Sequence, residues 1–113
     1  MRQETQKIMS AFLRGQKASA ARTNTDGRSV WLHGNKIAQR SEGDFVDFSL
    51  AGWPTVTTRE RINGMLNVFG YSDFSIGQKH TMQWLFHNGK KIRSVGEYEV
   101  MSLAELDELR VSV

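Results

Sequence analysis

The sequence contains no cysteine and a single proline in 113 residues. Without thiols there can be no disulfide, no thiol nucleophile and no thiolate metal site, which fits a reducing compartment. No apolar run approaches the roughly 18 residues that a membrane-spanning helix requires. The opening Met1-Arg2-Gln3-Glu4-Thr5-Gln6-Lys7 is too polar to begin a secretory signal. Phosphate-binding glycine loops, dinucleotide-type glycine runs and a G-x-S-x-G elbow are missing as well. His33, His80 and His87 are the only imidazoles, and no pair has H-x-x-x-H spacing. A common site of His80, His87 and Asp73 is the one metal arrangement available, and it is outweighed. The expectation is therefore a non-enzyme with no catalytic residue, no metal and no cofactor.

What is present suits one compact domain spanning residues 1–113, with 39% apolar and 24% charged residues. The net charge of +3 hides an asymmetry. Residues 1–40 carry eight basic and two acidic side chains, a local +6, whereas residues 41–113 carry seven basic and ten acidic, a local −3. A basic surface draws phosphate backbones, acidic protein patches or anionic lipid heads.

Hydrophobic spacing and turn residues predict an α+β fold: an antiparallel β-meander and a second β-hairpin, packed with a central helix and short terminal helices. Ile8, Met9, Phe12 and Leu13 make one stripe of an N-terminal helix within residues 1–15, which Gly15 stops. Asp26-Gly27, Gly34-Asn35 and Glu42-Gly43 punctuate a meander over residues 18–50, with strands near 19–25, 28–33, 36–41 and 44–50. Trp53-Pro54 leads to a central helix over 57–69, with Thr57 and Glu60 as a capping box and Ile62, Met65, Leu66 and Phe69 inward. Asn88-Gly89 marks a hairpin over 81–95, which Glu97–Met101 extends. Ser102 and Glu105 then start a C-terminal helix over 102–110 carrying Leu103, Leu106 and Leu109.

Two-residue turns pair Thr23 with Val30, Leu32 with Ile37 and Ile37 with Phe48, which sends Ala21, Thr23, Val30, Leu32, Ile37, Val46 and Phe48 to one face. Gln39 is the exception on that face. The opposite face then carries Arg22, Trp31, His33, Lys36, Arg40 and Phe45, with Asp47 as its one acid. Rings among cations suit base stacking with phosphate contacts, and equally suit cation–π pairs of Arg22 with Trp31 and Arg40 with Phe45. In the second hairpin Trp84 stands opposite Arg93 and Phe86 opposite Lys91, an aromatic–basic patch of the kind found at protein interfaces. Arg59, Arg61 and Asn63 could enter a DNA groove, but no helix precedes them at helix-turn-helix spacing, so they read as a solvated face.

Two stretches carry a resemblance: Asn24-Thr25-Asp26-Gly27 with Leu32-His33-Gly34-Asn35-Lys36-Ile37-Ala38, and Ala51-Gly52-Trp53-Pro54-Thr55-Val56-Thr57-Thr58-Arg59-Glu60-Arg61-Ile62-Asn63. Together with a late Asn-Gly hairpin they resemble small accessory proteins encoded by tailed bacteriophages, from about Phe12 to Ile92. The Glu97–Val113 extension lies outside that pattern. The resemblance implies a setting, the cytoplasm of a bacterial host, and transfers no catalytic residue. The expected function is a non-catalytic binding protein that engages a host protein or a nucleic-acid–protein complex, as an inhibitor of a host factor or of a defence system. Direct nucleic-acid binding through Arg22, Trp31, Lys36 and Arg40 is the second reading, and a minor virion component the third. No membrane partner is expected, and open strand edges leave a homodimer as a further arrangement.

Overall fold

A computed structural model describes residues 1–41, 43 and 45–112. Helix α1 (Gln3–Leu13) leads into strands β1 (Ala18–Ala20), β2 (Thr23–Thr25), β3 (Ser29–Leu32), β4 (Asn35–Arg40) and β5 (Val46–Phe48). Helix α2 (Val56–Val68) follows, then β6 (Phe74–Lys79), β7 (Met82–His87), β8 (Lys90–Val95), β9 (Met101–Ser102) and α3 (Leu103–Ser112). All strand pairs are antiparallel, in one sheet of order β1-β2-β3-β4-β5-β9 and another of order β6-β7-β8. The α+β architecture is as the sequence predicts.

One hydrophobic core joins both sheets to all three helices. Ile8, Met9 and Phe12 of α1 meet Ile62, Met65 and Leu66 of α2, with Val30, Leu32, Ile37, Phe48, Ile76, Leu85 and Leu106 around them. Gly64 lies where α1 crosses α2, and a Cβ there would collide with the Thr5 methyl.

Several local expectations need correction. The predicted strand 19–25 is split at Ala21-Arg22, which turn with φ of 49° and 61°. His80-Thr81 does the same at 53° and 66°, and so closes a β6–β7 hairpin that the sequence did not suggest. Neither pair contains the glycine or asparagine that makes positive φ easy. The second reversal of the meander falls at His33-Gly34, one residue earlier than Gly34-Asn35. Asp26-Gly27 turns as expected, with the Asp26 carboxylate accepting from the backbone N–H of Arg28 and Ser29 at 2.9 and 2.8 Å. Those donors hold its pKa below the ordinary value. Glu42 of the third turn and Asp44, the first residue of the strand expected near 44–50, lie outside the described residues.

The strand registers also shift. Thr23 faces Leu32 and Thr25 faces Val30, two residues from the expected pairing, so the inward face is kept. Between β3 and β4, Trp31 faces Lys36 but Val30 faces Ala38, which leaves Ile37 as the extra residue of a bulge. Ile37 and Ala38 are both buried as a result. Beyond the bulge Gln39 faces Asp47 on the outward side, and the expected exception disappears. Ala21 is exposed in its turn rather than inward.

The cap of α2 is Thr55, whose hydroxyl accepts from the Thr58 N–H at 3.2 Å, and not Thr57 with Glu60. At α3 the Ser102 hydroxyl accepts from the Glu105 N–H at 3.1 Å, as predicted. Residues Met101–Ser102 join the first sheet beside β5 rather than extending the second. The loop before them is tied down where the Gly52 N–H donates to the Glu97 carbonyl at 2.8 Å.

Candidate functional site

The outward face of the first sheet keeps only part of the expected set. Trp31 lies between Asn24 and Lys36, with the Lys36 ammonium 5.9 Å from the ring centroid and donating to Gln39 Oε1 at 3.2 Å. Arg22 and His33 sit in turns, both exposed, so Arg22 is not across from Trp31 and neither belongs to the strand face.

Arg40 is on the other side altogether. It pairs with Val46, one residue from the register that would set it beside Phe45. Its guanidinium lies 4.7 Å from the Phe12 centroid and donates to the Gly27 carbonyl at 2.7 Å and the Leu13 carbonyl at 3.1 Å. A cation at the last carbonyls of α1 suits the negative end of that helix. Arg40 is therefore an anchor for α1, not part of an outward patch. Phe45 stays 54% exposed at the rim of an open hollow of about 740 Å³ shared with Arg14, Arg28, Arg40 and Tyr71. A second hollow of about 550 Å³ has an apolar floor of Leu32, Ile37 and Leu50 and a rim of Trp53, which is 56% exposed. Nothing in the local sequence marks Trp53 for this rim, because Trp53-Pro54 reads as the link into the central helix.

The second sheet differs. Phe86 faces Lys91 as expected, but a bulge between Leu85 and Phe86 sets Trp84 opposite Ser94 and Leu85 opposite Arg93. Arg93 is thereby turned to the other face, where Glu99 and Glu105 hold it at 2.6 and 2.7 Å. The hydrogen bond to Glu105, opposed by burial and helped by Glu99, raises its pKa. It fastens the Gly96–Val100 loop and α3 to the sheet.

Strand alternation and pairing place Ser75, Gly77, Lys79, Met82, Trp84, Phe86, Lys91 and Ser94 on one face. The helices meet this sheet from the opposite side. Asn63 of α2 grips the edge of β6, donating to the Ile76 carbonyl at 3.0 Å and accepting from its N–H at 2.7 Å. Arg59 donates to Gln78 and Gln83, both at 3.0 Å. On the open face Lys91 Nζ is 4.1 Å from the Trp84 centroid and Lys79 Nζ is 5.9 Å from that of Phe86. Neither ammonium meets a carboxylate among the described residues. The Trp84 indole N–H donates to the Lys79 carbonyl at 3.4 Å. Met82 is 49% exposed beside them.

Arg59, Arg61 and Asn63 do not form a solvated face. Arg61 is 2% exposed and donates to Thr23 Oγ1 at 2.9 Å, Thr5 Oγ1 at 2.7 Å and Glu60 Oε1 at 2.6 Å. Burial pushes the Glu60 pKa up, but the hydrogen bonds from Thr5 and Arg61 outweigh it and the net shift is downward. His87 meets Asp73 at 2.9 Å and lies beside Phe74, whereas His80 is at the far end of the β6–β7 hairpin, so the two imidazoles share no site. Arg110 of α3 closes on the same Asp73 carboxylate and holds its pKa near 2. No group of three or more metal-ligating side chains is gathered among the described residues. No helix among them is long and apolar enough to cross a membrane.

Comparison with known proteins adds one finding. The model of a family described as Kyanoviridae Gp96 protein matches residues 1–103, which takes in the β-meander, both hairpins and the start of α3. The match extends past Ile92 into the segment that seemed to lie outside the phage pattern. Neither the curated proteins nor the solved structures hold a match to this chain.

Proposed function

The chain belongs to the Kyanoviridae Gp96 family of phage proteins, and we propose that it serves the phage as a non-catalytic binding protein in the host cytoplasm. Its contact surface is the open face of the second sheet, which engages a host protein or a nucleic-acid–protein complex. One observation carries this reading: Trp84, Phe86 and Met82 stand together with Lys79 and Lys91 on a face that no helix among the described residues covers. Aromatic side chains grouped on rigid strands present contact area at little entropic cost, which is what a binding surface needs.

Two of the residues expected to bind, Arg40 and Arg93, are half-buried and engaged by partners within the fold. Trp31 with Lys36 forms a smaller, separate pair on the first sheet. The test is affinity capture from phage-infected or expressing cells, with and without nuclease, using the native chain, Trp84→Ala and Trp31→Ala. A host component retained by the native chain and by Trp31→Ala, and lost with Trp84→Ala, supports the reading. Capture that Trp84→Ala leaves unchanged overturns it.

A further inference from the structure

We propose that the ligand of the open face of the second sheet is single-stranded nucleic acid, an assignment that rests on the binding role above. Charge is the first argument. Residues 41–113 hold ten acidic side chains, yet none of the eight residues on this face is acidic. A phosphate backbone laid across it meets two ammonium groups and no carboxylate. Protein interfaces, in contrast, tend to exclude lysine from their centres. Here each ring has a lysine ammonium beside it, Lys91 at Trp84 and Lys79 at Phe86.

Geometry is the second argument. Trp84 and Phe86 are two residues apart on β7, so their side chains rise from the same face about 7 Å apart along the strand. Neighbouring bases of an unstacked strand can follow that stride, one on each ring. The glycine opposite Trp84 makes the platform flat: a Cβ on Gly77 would come within 2.9 Å of the Phe86 ring. Lys91 and Lys79 lie on flexible stems and swing from ring to phosphate when a base arrives. The face has no arginine, asparagine or glutamine to read base edges in pairs, so binding is sequence-tolerant. Two rings hold about two or three nucleotides.

The experiment is fluorescence anisotropy of labelled oligo-dT and oligo-U with the full chain over a salt series. The native chain, Trp84→Ala, Trp84→Phe and the double variant Lys79→Gln/Lys91→Gln are compared, with thermal melts to establish that each is folded. Two phosphate contacts give a slope of about −1.4 in log affinity against log salt, and the double variant flattens it towards zero. Trp84→Ala weakens binding roughly 5- to 150-fold while Trp84→Phe retains most of it. A preference for one oligonucleotide identifies whether RNA or DNA is the source. Absence of binding at low salt overturns the assignment, as does binding that the folded variants leave unchanged, which would place the contact on the basic N-terminal part. If a host protein is still captured after nuclease and lost with Trp84→Ala, the ligand assignment falls and the binding role stands. If neither is seen, both fall.

Discussion

Arg61 of the central helix donates its Nε–H to the Thr23 hydroxyl of β2 across 2.9 Å, in a place almost closed to solvent. The same guanidinium reaches Thr5 of α1 and the neighbouring Glu60, so one cation ties two helices to the first sheet. Removing it would take the countercharge from the Glu60 carboxylate and the N–H donors from the Thr5 and Thr23 hydroxyls. Arg61→Ala is expected to cost about 3–5 kcal/mol of stability. Urea denaturation measures this directly, and a loss below about 1 kcal/mol would show that the network is not shared as described.

On helix propensity alone Gly64 invites replacement, since glycine inside a helix costs about 1 kcal/mol relative to alanine. The crossing of α1 removes that gain, because the new methyl would meet the buried, β-branched Thr5. Gly64→Ala is therefore expected to destabilise, by about 1–3 kcal/mol. A rise in melting temperature would mean the helices separate at little cost.

Asn63 holds both polar groups of Ile76 on the edge strand β6. Asn63→Ala leaves that amide and carbonyl without their partners, at about 1–3 kcal/mol. Amide hydrogen exchange is the specific check: the Ile76 N–H should exchange much faster in the variant, while amides of β2 and β3 keep their protection.

Much of this fold is written in local patterns, and the departures share a cause. Asn88-Gly89 announced its hairpin because both residues accept positive φ readily, and the structure turns there at 51° and 81°. Ala21-Arg22 and His80-Thr81 adopt nearly the same angles with nothing in their side chains to favour them. The surrounding strands impose those turns. The bulges at Ile37 and beside Phe86 are likewise invisible to a period-two count, and each moves one basic residue to the wrong side of its strand. Arg40 and Arg93 are lost from the expected surface for that reason. Phe86 and Lys91 keep their pairing on the hairpin side of the second bulge, and Trp84 stays on their face because the extra residue, Ile92, is inserted into β8 and not into β7.

Acid should probe the contact between α3 and the second sheet. Hydrogen bonds from Arg110, with that of His87, hold the Asp73 carboxyl near 2, below its ordinary 3.8. A depressed folded-state value stabilises the protein above the unfolded value, and this contribution fades as pH falls through the folded one. The stability lost in Asp73→Asn should thus be full above about pH 4 and vanish towards pH 2. Melting curves across that window test it, and a difference that stays constant with pH would rule out the carboxylate as its source.

Arg40 and Lys91 are both cations beside a ring, and they should respond differently to removal. Arg40 serves two backbone carbonyls and the buried Phe12, so Arg40→Ala should lower stability by about 1–3 kcal/mol. It should free the C-terminal turn of α1, seen as faster exchange there. Lys91 is exposed and, among the described residues, its ammonium meets the Trp84 ring and no carboxylate, so Lys91→Gln should leave the melting temperature within about 2 °C of native. Its effect belongs to binding. If Lys91→Gln instead melts early while Arg40→Ala does not, the assignment of Arg40 to the fold and of Lys91 to the ligand is reversed.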